Sequence, residues 1–197
     1  MLQYIVSGSN ASQIATTASE ALEHGCRWIR VDISQISLDE VNETVKAVHE
    51  KCKACEAFLT LENDVEAVHE LKVDGVHIGF STSDSIVGAR KQLGEEPIIG
   101  ITVQHAGDVP FVPRTAIDYL SLEKAELDEC RKIVEQMRTY GLDEPVVVPY
   151  SPDVPPTQLM DTGINGIAVS NDTIPTSQLP QLLDELNRLL EKRLSNL

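Results

Sequence analysis

Short apolar runs rich in β-branched residues alternate with longer amphipathic stretches along the whole chain. The runs are Tyr4-Ile5-Val6, Trp28-Ile29-Arg30-Val31, Phe58-Leu59-Thr60-Leu61, Val76-His77-Ile78, Ile98-Ile99-Gly100-Ile101, Tyr119-Leu120-Ser121-Leu122, Val146-Val147-Val148 and Ile167-Ala168-Val169. Each reads as a strand. The stretches between them carry helix signals. Ser37 with Glu40 forms a capping-box pattern before Val41, Val45 and Val48. Asp84 or Ser85 is placed to cap a helix that runs to Leu93, with Gly94 at its C-terminal end. A segment over 127–140 stops at Gly141, and leucines at 179, 182, 183, 186, 189, 190 and 194 line one face of a helix over 179–197. The fifth crossover, 107–115, holds Pro110 and Pro113 and is predicted to be irregular.

A weak internal repeat supports a unit structure. Val73-Asp74-Gly75-Val76-His77-Ile78, Ile117-Asp118-Tyr119-Leu120-Ser121-Leu122 and Ile164-Asn165-Gly166-Ile167-Ala168-Val169 each lead through an apolar residue and Asp or Asn into a strand. Eight βα units predict an α/β chain folded as one compact (β/α)8 TIM barrel over residues 1–197. An open doubly wound sheet is the alternative. No G-x-G-x-x-G follows the first strand, which argues against a dinucleotide site.

Active sites of such barrels lie at the C-terminal ends of the strands, so side-chain alternation nominates the inward residues. Ile29, Val31 and Ile33 suit packing against helices, which turns Arg30 and Asp32 inward. The same reasoning nominates Thr60 and Glu62, His77, Gly100 and Thr102, Ser121 and Glu123, Val148 and Tyr150, and Ala168 and Ser170. The mouth is then polar and acidic, with Asp32, Glu62 and Glu123 against Arg30. Plain structural roles compete for these residues. Arg30 and Asp32 can neutralise one another, Glu62 can cap the helix that Asn63-Asp64 opens, and His77 can be a hydrogen-bonded core histidine.

Composition narrows the function. Hydrophobic residues make up 42% and charged residues 24% of 197 positions, which fits a globular chain and excludes a disordered one. With 16 Lys and Arg against 31 Asp and Glu, the net charge is −15, a surface that repels phosphate backbones and anionic lipid. No nucleic-acid or membrane partner is expected. No apolar run approaches a membrane span, and Met1-Leu2-Gln3-Tyr4-Ile5-Val6-Ser7 lacks the basic start of a signal peptide. Four cysteines are too few for a disulfide framework, so a reduced, cytoplasmic setting is expected. The lone C-x-x-C of Cys52 and Cys55 falls at a helix end that does not favour thiol chemistry. Whether the chain self-associates stays open.

Several segments resemble the thiamine phosphate synthases and their thiazole tautomerase relatives. Asp74-Gly75-Val76-His77-Ile78-Gly79 is similar to their D-G-V-H-L-G, Asn63-Asp64-Val65-Glu66-Ala67 to N-D-x-x-x-A, and Ala89-Arg90-Lys91-Gln92-Leu93-Gly94 to A-R-x-x-L-G. Ile98-Ile99-Gly100-Ile101-Thr102 is similar to I-I-G-V-S, and residues 163–170 to G-A-D-G-V-A-V-V-S. The resemblance implies a (β/α)8 enzyme that joins a pyrimidine methyl diphosphate to a thiazole phosphate, with Mg²⁺ and release of diphosphate. It implies catalytic roles for Arg30 and Glu62, phosphorylated-ligand binding at Asn63, His77, Thr102, Ser170 and Asn171, and metal ligation by Asp64 and Asp84. Other positions depart from the pattern. Q-x-R-x-K falls on Arg30-Val31-Asp32-Ile33-Ser34; Leu122-Glu123-Lys124-Ala125-Glu126 stands where a G-P-x-x-x-T-x-T-K loop belongs; and Pro149-Tyr150-Ser151-Pro152 replaces a G-G phosphate loop. Two further readings therefore stand beside the synthase. One is a tautomerase-like isomerase with His105, in Thr102-Val103-Gln104-His105, as acid–base. The other is a non-catalytic relative that binds a thiamine precursor or a protein partner.

Overall fold

Asn10 opens the first helix by accepting the Gln13 amide at 2.9 Å, and Ile14, Ala18, Ala21 and Leu22 form its buried stripe. The same grammar of strand, cap and apolar stripe repeats along the chain. The computed structural model describes residues 1–79 and 81–195. Its strands are β1 (Leu2–Val6), β2 (Trp28–Val31), β3 (Phe58–Glu62), β4 (Gly75–Ile78), β5 (Ile98–Val103), β6 (Tyr119–Leu122), β7 (Val147–Pro149) and β8 (Gly166–Ser170). Its helices are α1 (Ala11–Glu23), α2 (Leu38–Ala54), α3 (Val65–Leu71), α4 (Ser83–Leu93), α5 (Leu127–Thr139), α6 (Pro156–Met160) and α7 (Leu179–Leu194). The predicted last helix ran to residue 197; positions 196 and 197 lie outside the described residues.

All strand pairs are parallel, in the order β6-β5-β4-β3-β2-β1-β8-β7. The ends of that series meet. Leu120 bridges Val146, and the Leu120 amide donates to the Pro145 carbonyl at 2.9 Å. The sheet is therefore a barrel, and the doubly wound alternative is excluded. After β5 the chain takes 3₁₀ turns at Ala106–Phe111 and Arg114–Ala116 in place of an α-helix, with Pro110 inside the first, as the prolines predicted. No helix among the described residues is long and apolar enough to cross a membrane.

The main core lies between strands and helices, where Tyr4, Ile29, Leu59, Leu61, Ile99, Leu120 and Ile167 are fully buried. A smaller cluster fills the barrel: Tyr119, Val147 and Ala168, packed by Ile5, Trp28 and Ile98. Gly100 makes room for it, because a Cβ there would stand 1.9 Å from the Tyr119 ring.

Three sequence expectations need correction. In β7 it is Val147 that enters the barrel, while Val148 and Tyr150 pack with the outer core. A run of three valines has no polar partner to reveal its parity. Thr82, not Asp84 or Ser85, is the N-cap of α4 and accepts the Ser85 amide. Ser37 does begin α2, but its hydroxyl bonds the Glu40 carboxylate at 2.6 Å rather than a backbone amide.

Candidate active site at the barrel mouth

Polar side chains from six neighbouring strands meet inside the barrel. Arg30 on β2 stands at the centre. Its Nε lies 2.7 Å from the Glu62 carboxylate on β3, in an ion pair whose side chains are 13% and 19% exposed. Its Nη1 donates to the Gln3 carbonyl oxygen on β1 at 3.1 Å. The Gln3 amide nitrogen donates to the Tyr119 hydroxyl on β6 at 3.1 Å. That hydroxyl sits 2.7 Å from Nδ1 of His77 on β4, and His77 Nε2 sits 2.8 Å from the Thr102 hydroxyl on β5. Trp28 packs edge-on against Tyr119 with ring centroids 4.9 Å apart. A cluster of this kind holds its order only when each member is bonded.

Burial sets the electrostatics. The Glu62 carboxyl is pushed up by desolvation, against the pull of Arg30 and with a further push from Asp32. Burial, and then the Arg30 charge, hold the His77 imidazole well below its ordinary value, so the ring is neutral. Desolvation raises the Tyr119 phenol to about 12.

The residues nominated from sequence are distributed unevenly over this mouth. Arg30, Glu62, His77 and Thr102 come together in one network. Arg30 is neutralised by Glu62, and Asp32 instead accepts the Ser34 amide at 2.9 Å. Asn63 stands next to Glu62 in a left-handed conformation (φ +56°) and accepts the Gly79 amide at 2.7 Å, tying the end of β3 to that of β4. Ser170 accepts the Asp172 amide, and the Asn171 side chain clasps the backbone of Ser7 from both sides. His105 is exposed and caps the 3₁₀ turn at Ala106–Phe111, outside the network. Gln3 and Tyr119, which complete the network, were not singled out from sequence. Their only signal is a polar residue of inward parity in an apolar strand.

Two cavities open beside these groups. One of about 300 Å³ has Thr102, Ser81, Thr82 and Ser83 on its polar side and Ile86 and Val112 on its apolar side. The other, about 780 Å³, lies between the ends of β6 and β7 and exposes Glu123, Asp128 and Asp153 together with Lys124, Arg131 and Tyr150. A third cavity of about 510 Å³ lies at the opposite end of the barrel, beside Phe58 and Ile98.

Two carboxylates stand at the starts of neighbouring helices at this end of the barrel. The Asp64 carboxylate accepts the Ala67 amide at 2.8 Å as N-cap of α3, and Asp84 lies in the first turn of α4, the helix that follows the adjoining strand. No group of three or more His, Cys, Asp or Glu able to hold a metal occurs among the described residues. One or two carboxylates are nonetheless the share magnesium takes when substrate phosphates and water complete its octahedron. Asp64 and Asp84 fit that chemistry.

Known proteins of the same architecture bear on this mouth. The chain is 34% identical to the thiamine-phosphate synthase of Bacteroides fragilis, over 96% of its own length and 98% of that protein. It is 32% identical to that of Flavobacterium psychrophilum, over 96% and 98%. The thiamine phosphate pyrophosphorylase structure from Pyrococcus furiosus superposes with a TM-score of 0.75 at 21% identity, covering 96% of this chain and 95% of that one. The sequence model of the thiamine monophosphate synthase family (TMP-TENI) matches residues 3–141. That span runs from Gln3 in β1 through the whole of β6 and holds every member of the buried network, and the chain belongs to the thiamine monophosphate synthase family.

Proposed function

We propose that the chain acts in thiamine biosynthesis as a thiamine phosphate synthase, joining a pyrimidine methyl diphosphate to a thiazole phosphate and releasing diphosphate. The observation that carries the reading is the network at the mouth, in which Arg30 is held charged by Glu62 and Thr102 ends a buried relay beside a cavity. In the reaction the methylene C–O bond to diphosphate breaks, and the thiazole nitrogen supplies the electron pair for the new C–N bond. Loss of a diphosphate leaves a carbocation-like centre, so positive side chains and hydroxyl donors must face the leaving group. Arg30 supplies the charge and Thr102 the hydroxyl. Asn63, Ser170 and Asn171 fix the strand ends around them. Asp64 and Asp84 would hold a magnesium ion, which when bound neutralises charge building on the departing oxygens. The reading includes a cytoplasmic setting, in keeping with Cys26, Cys52, Cys55 and Cys130, all free thiols.

The test is diphosphate release from the purified chain with both substrates and Mg²⁺, beside a chelator control and Arg30→Ala. Metal-dependent release that falls by about two orders of magnitude or more in the variant is the expected result. A folded protein that releases nothing overturns it. The reading then favoured is a relative that binds a thiamine precursor without turnover. One observation favours that second reading: no glycine directly follows β7, where Tyr150-Ser151-Pro152 runs, so the backbone there offers no glycine for close approach to a phosphate.

A further inference from the structure

The buried network has a direction, and one residue sets it. Arginine carries five N–H donors and no acceptor, so the atom of Gln3 that faces Arg30 must be the carbonyl oxygen. The Gln3 amide nitrogen is then turned to Tyr119, and it can only donate. The Tyr119 oxygen therefore accepts from Gln3. The single Tyr119 proton is left for its remaining neighbour, Nδ1 of His77 at 2.7 Å. A neutral imidazole that accepts at Nδ1 carries its proton on Nε2. Nε2 must then donate to the Thr102 oxygen at 2.8 Å. The Thr102 hydroxyl is consequently an acceptor on its buried side, and its own proton is bonded to nothing among the described residues.

The opposite order fails at one point. Were Thr102 to donate to His77, Nδ1 would donate to the Tyr119 oxygen, which would already receive Gln3. The Tyr119 proton would then lie in the barrel interior without an acceptor, at a residue 2% exposed. Gln3 is 0% and His77 1% exposed, so no water replaces the lost partner cheaply.

We propose that Gln3 and Tyr119 are positioning residues that hold His77 as its Nε2–H tautomer, so that Thr102 presents a hydroxyl proton to an acceptor atom of a ligand in the cavity beside it. The inference rests on the proposed function only in placing a ligand at this mouth; the tautomer exists with or without turnover. It assigns work to two buried side chains that touch no substrate. It also makes His77 a buried lever on Thr102 and not a ligand-contacting group itself.

The experiment is ¹⁵N NMR of the histidine rings in the full chain, with His77→Gln assigning the His77 signals among the five histidines. The expected result is one neutral ring, protonated at Nε2, from about pH 5 to pH 8, the range in which an ordinary histidine changes charge. Gln3→Glu is the decisive variant. A carboxylate accepts from both Arg30 and Tyr119, so the Tyr119 proton turns away from His77, and the ring is expected to switch to Nδ1–H. Gln3→Met, which removes both bonds while keeping the side-chain length, is expected to give a mixture of the two tautomers. A wild-type ring protonated at Nδ1 overturns the proposal, whatever the variants do. So does a folded Gln3→Glu or Gln3→Met protein whose His77 stays entirely Nε2–H. None of these readings needs substrate, so failure here and failure of the diphosphate assay are separate results.

Discussion

Tyr119 and Gly100 form a lock-and-key pair at the level of single residues. The ring is held by Gln3 and His77 at its hydroxyl and by Trp28 along its edge, so it has no free direction in which to yield. A Cβ at position 100 would sit 1.9 Å from the ring. Gly100→Ala is accordingly expected to destabilise the chain by roughly 1–3 kcal/mol through overpacking, despite the gain alanine normally brings to a strand. Urea denaturation reads it directly, and an unchanged midpoint would show that the ring moves. His77 also imprints on the pH dependence. Its folded-state value lies well below 6.5, so below pH 6.5 the unfolded chain binds a proton that the folded chain refuses. That part of the stability is complete above pH 6.5 and drains away as the pH falls toward the folded-state value. In His77→Gln the loss of stability between about pH 7 and pH 5 should shrink relative to the wild type. His49, also lowered by burial, contributes a slope of the same sign and survives in the variant. His77 and its inward direction were legible from its strand. Its partners Gln3 and Tyr119 were not, because the contact joins β1, β4 and β6, which only closure of the barrel brings together.

Among the secondary-structure elements, alternation was readable wherever a polar residue broke an apolar run. Arg30 in β2, Thr60 in β3 and Ser121 in β6 each declare which side faces inward. β7 declares nothing, and its direction follows from neighbours that fill the barrel around Val147. Caps are local and were partly legible. Asn63-Asp64 does open α3, whereas Thr82 outcompetes two nearby polar residues at α4 because its extended backbone (φ −79°, ψ 152°) is the one that fits a cap. The double use of Asp64 can be separated by substitution. Asp64→Ala removes the cap of a seven-residue helix and should cost about 1 kcal/mol. Asp64→Asn keeps an oxygen for the Ala67 amide, so its melting curve should stay close to wild type. Under the proposed function both variants lose metal-dependent diphosphate release. A fully active Asp64→Asn protein would remove Asp64 from any metal role.

For the whole molecule, the barrel is unevenly fastened. β1 and β8 share a four-residue register and β4 and β5 another, whereas β6 meets β7 through one bridge between Leu120 and Val146. Amide exchange should reflect this: the Leu120 amide, bonded to Pro145 across the seam, should exchange sooner than amides of the β4–β5 ladder. Equal protection at both places would show that side-chain packing, not the ladder, closes the barrel. The eight-unit architecture was evident from the spacing of strands and helices. The seam was not, because strand register depends on how much of each apolar run its neighbour can reach. The cavity of about 780 Å³ stands over this same join, with Glu123 on one lip and Tyr150 on the other. Its bore is thus gauged by the slackest joint of the cylinder, so a shift at the Leu120–Val146 bridge would move the lips of this cavity and leave the Arg30 side of the rim in register.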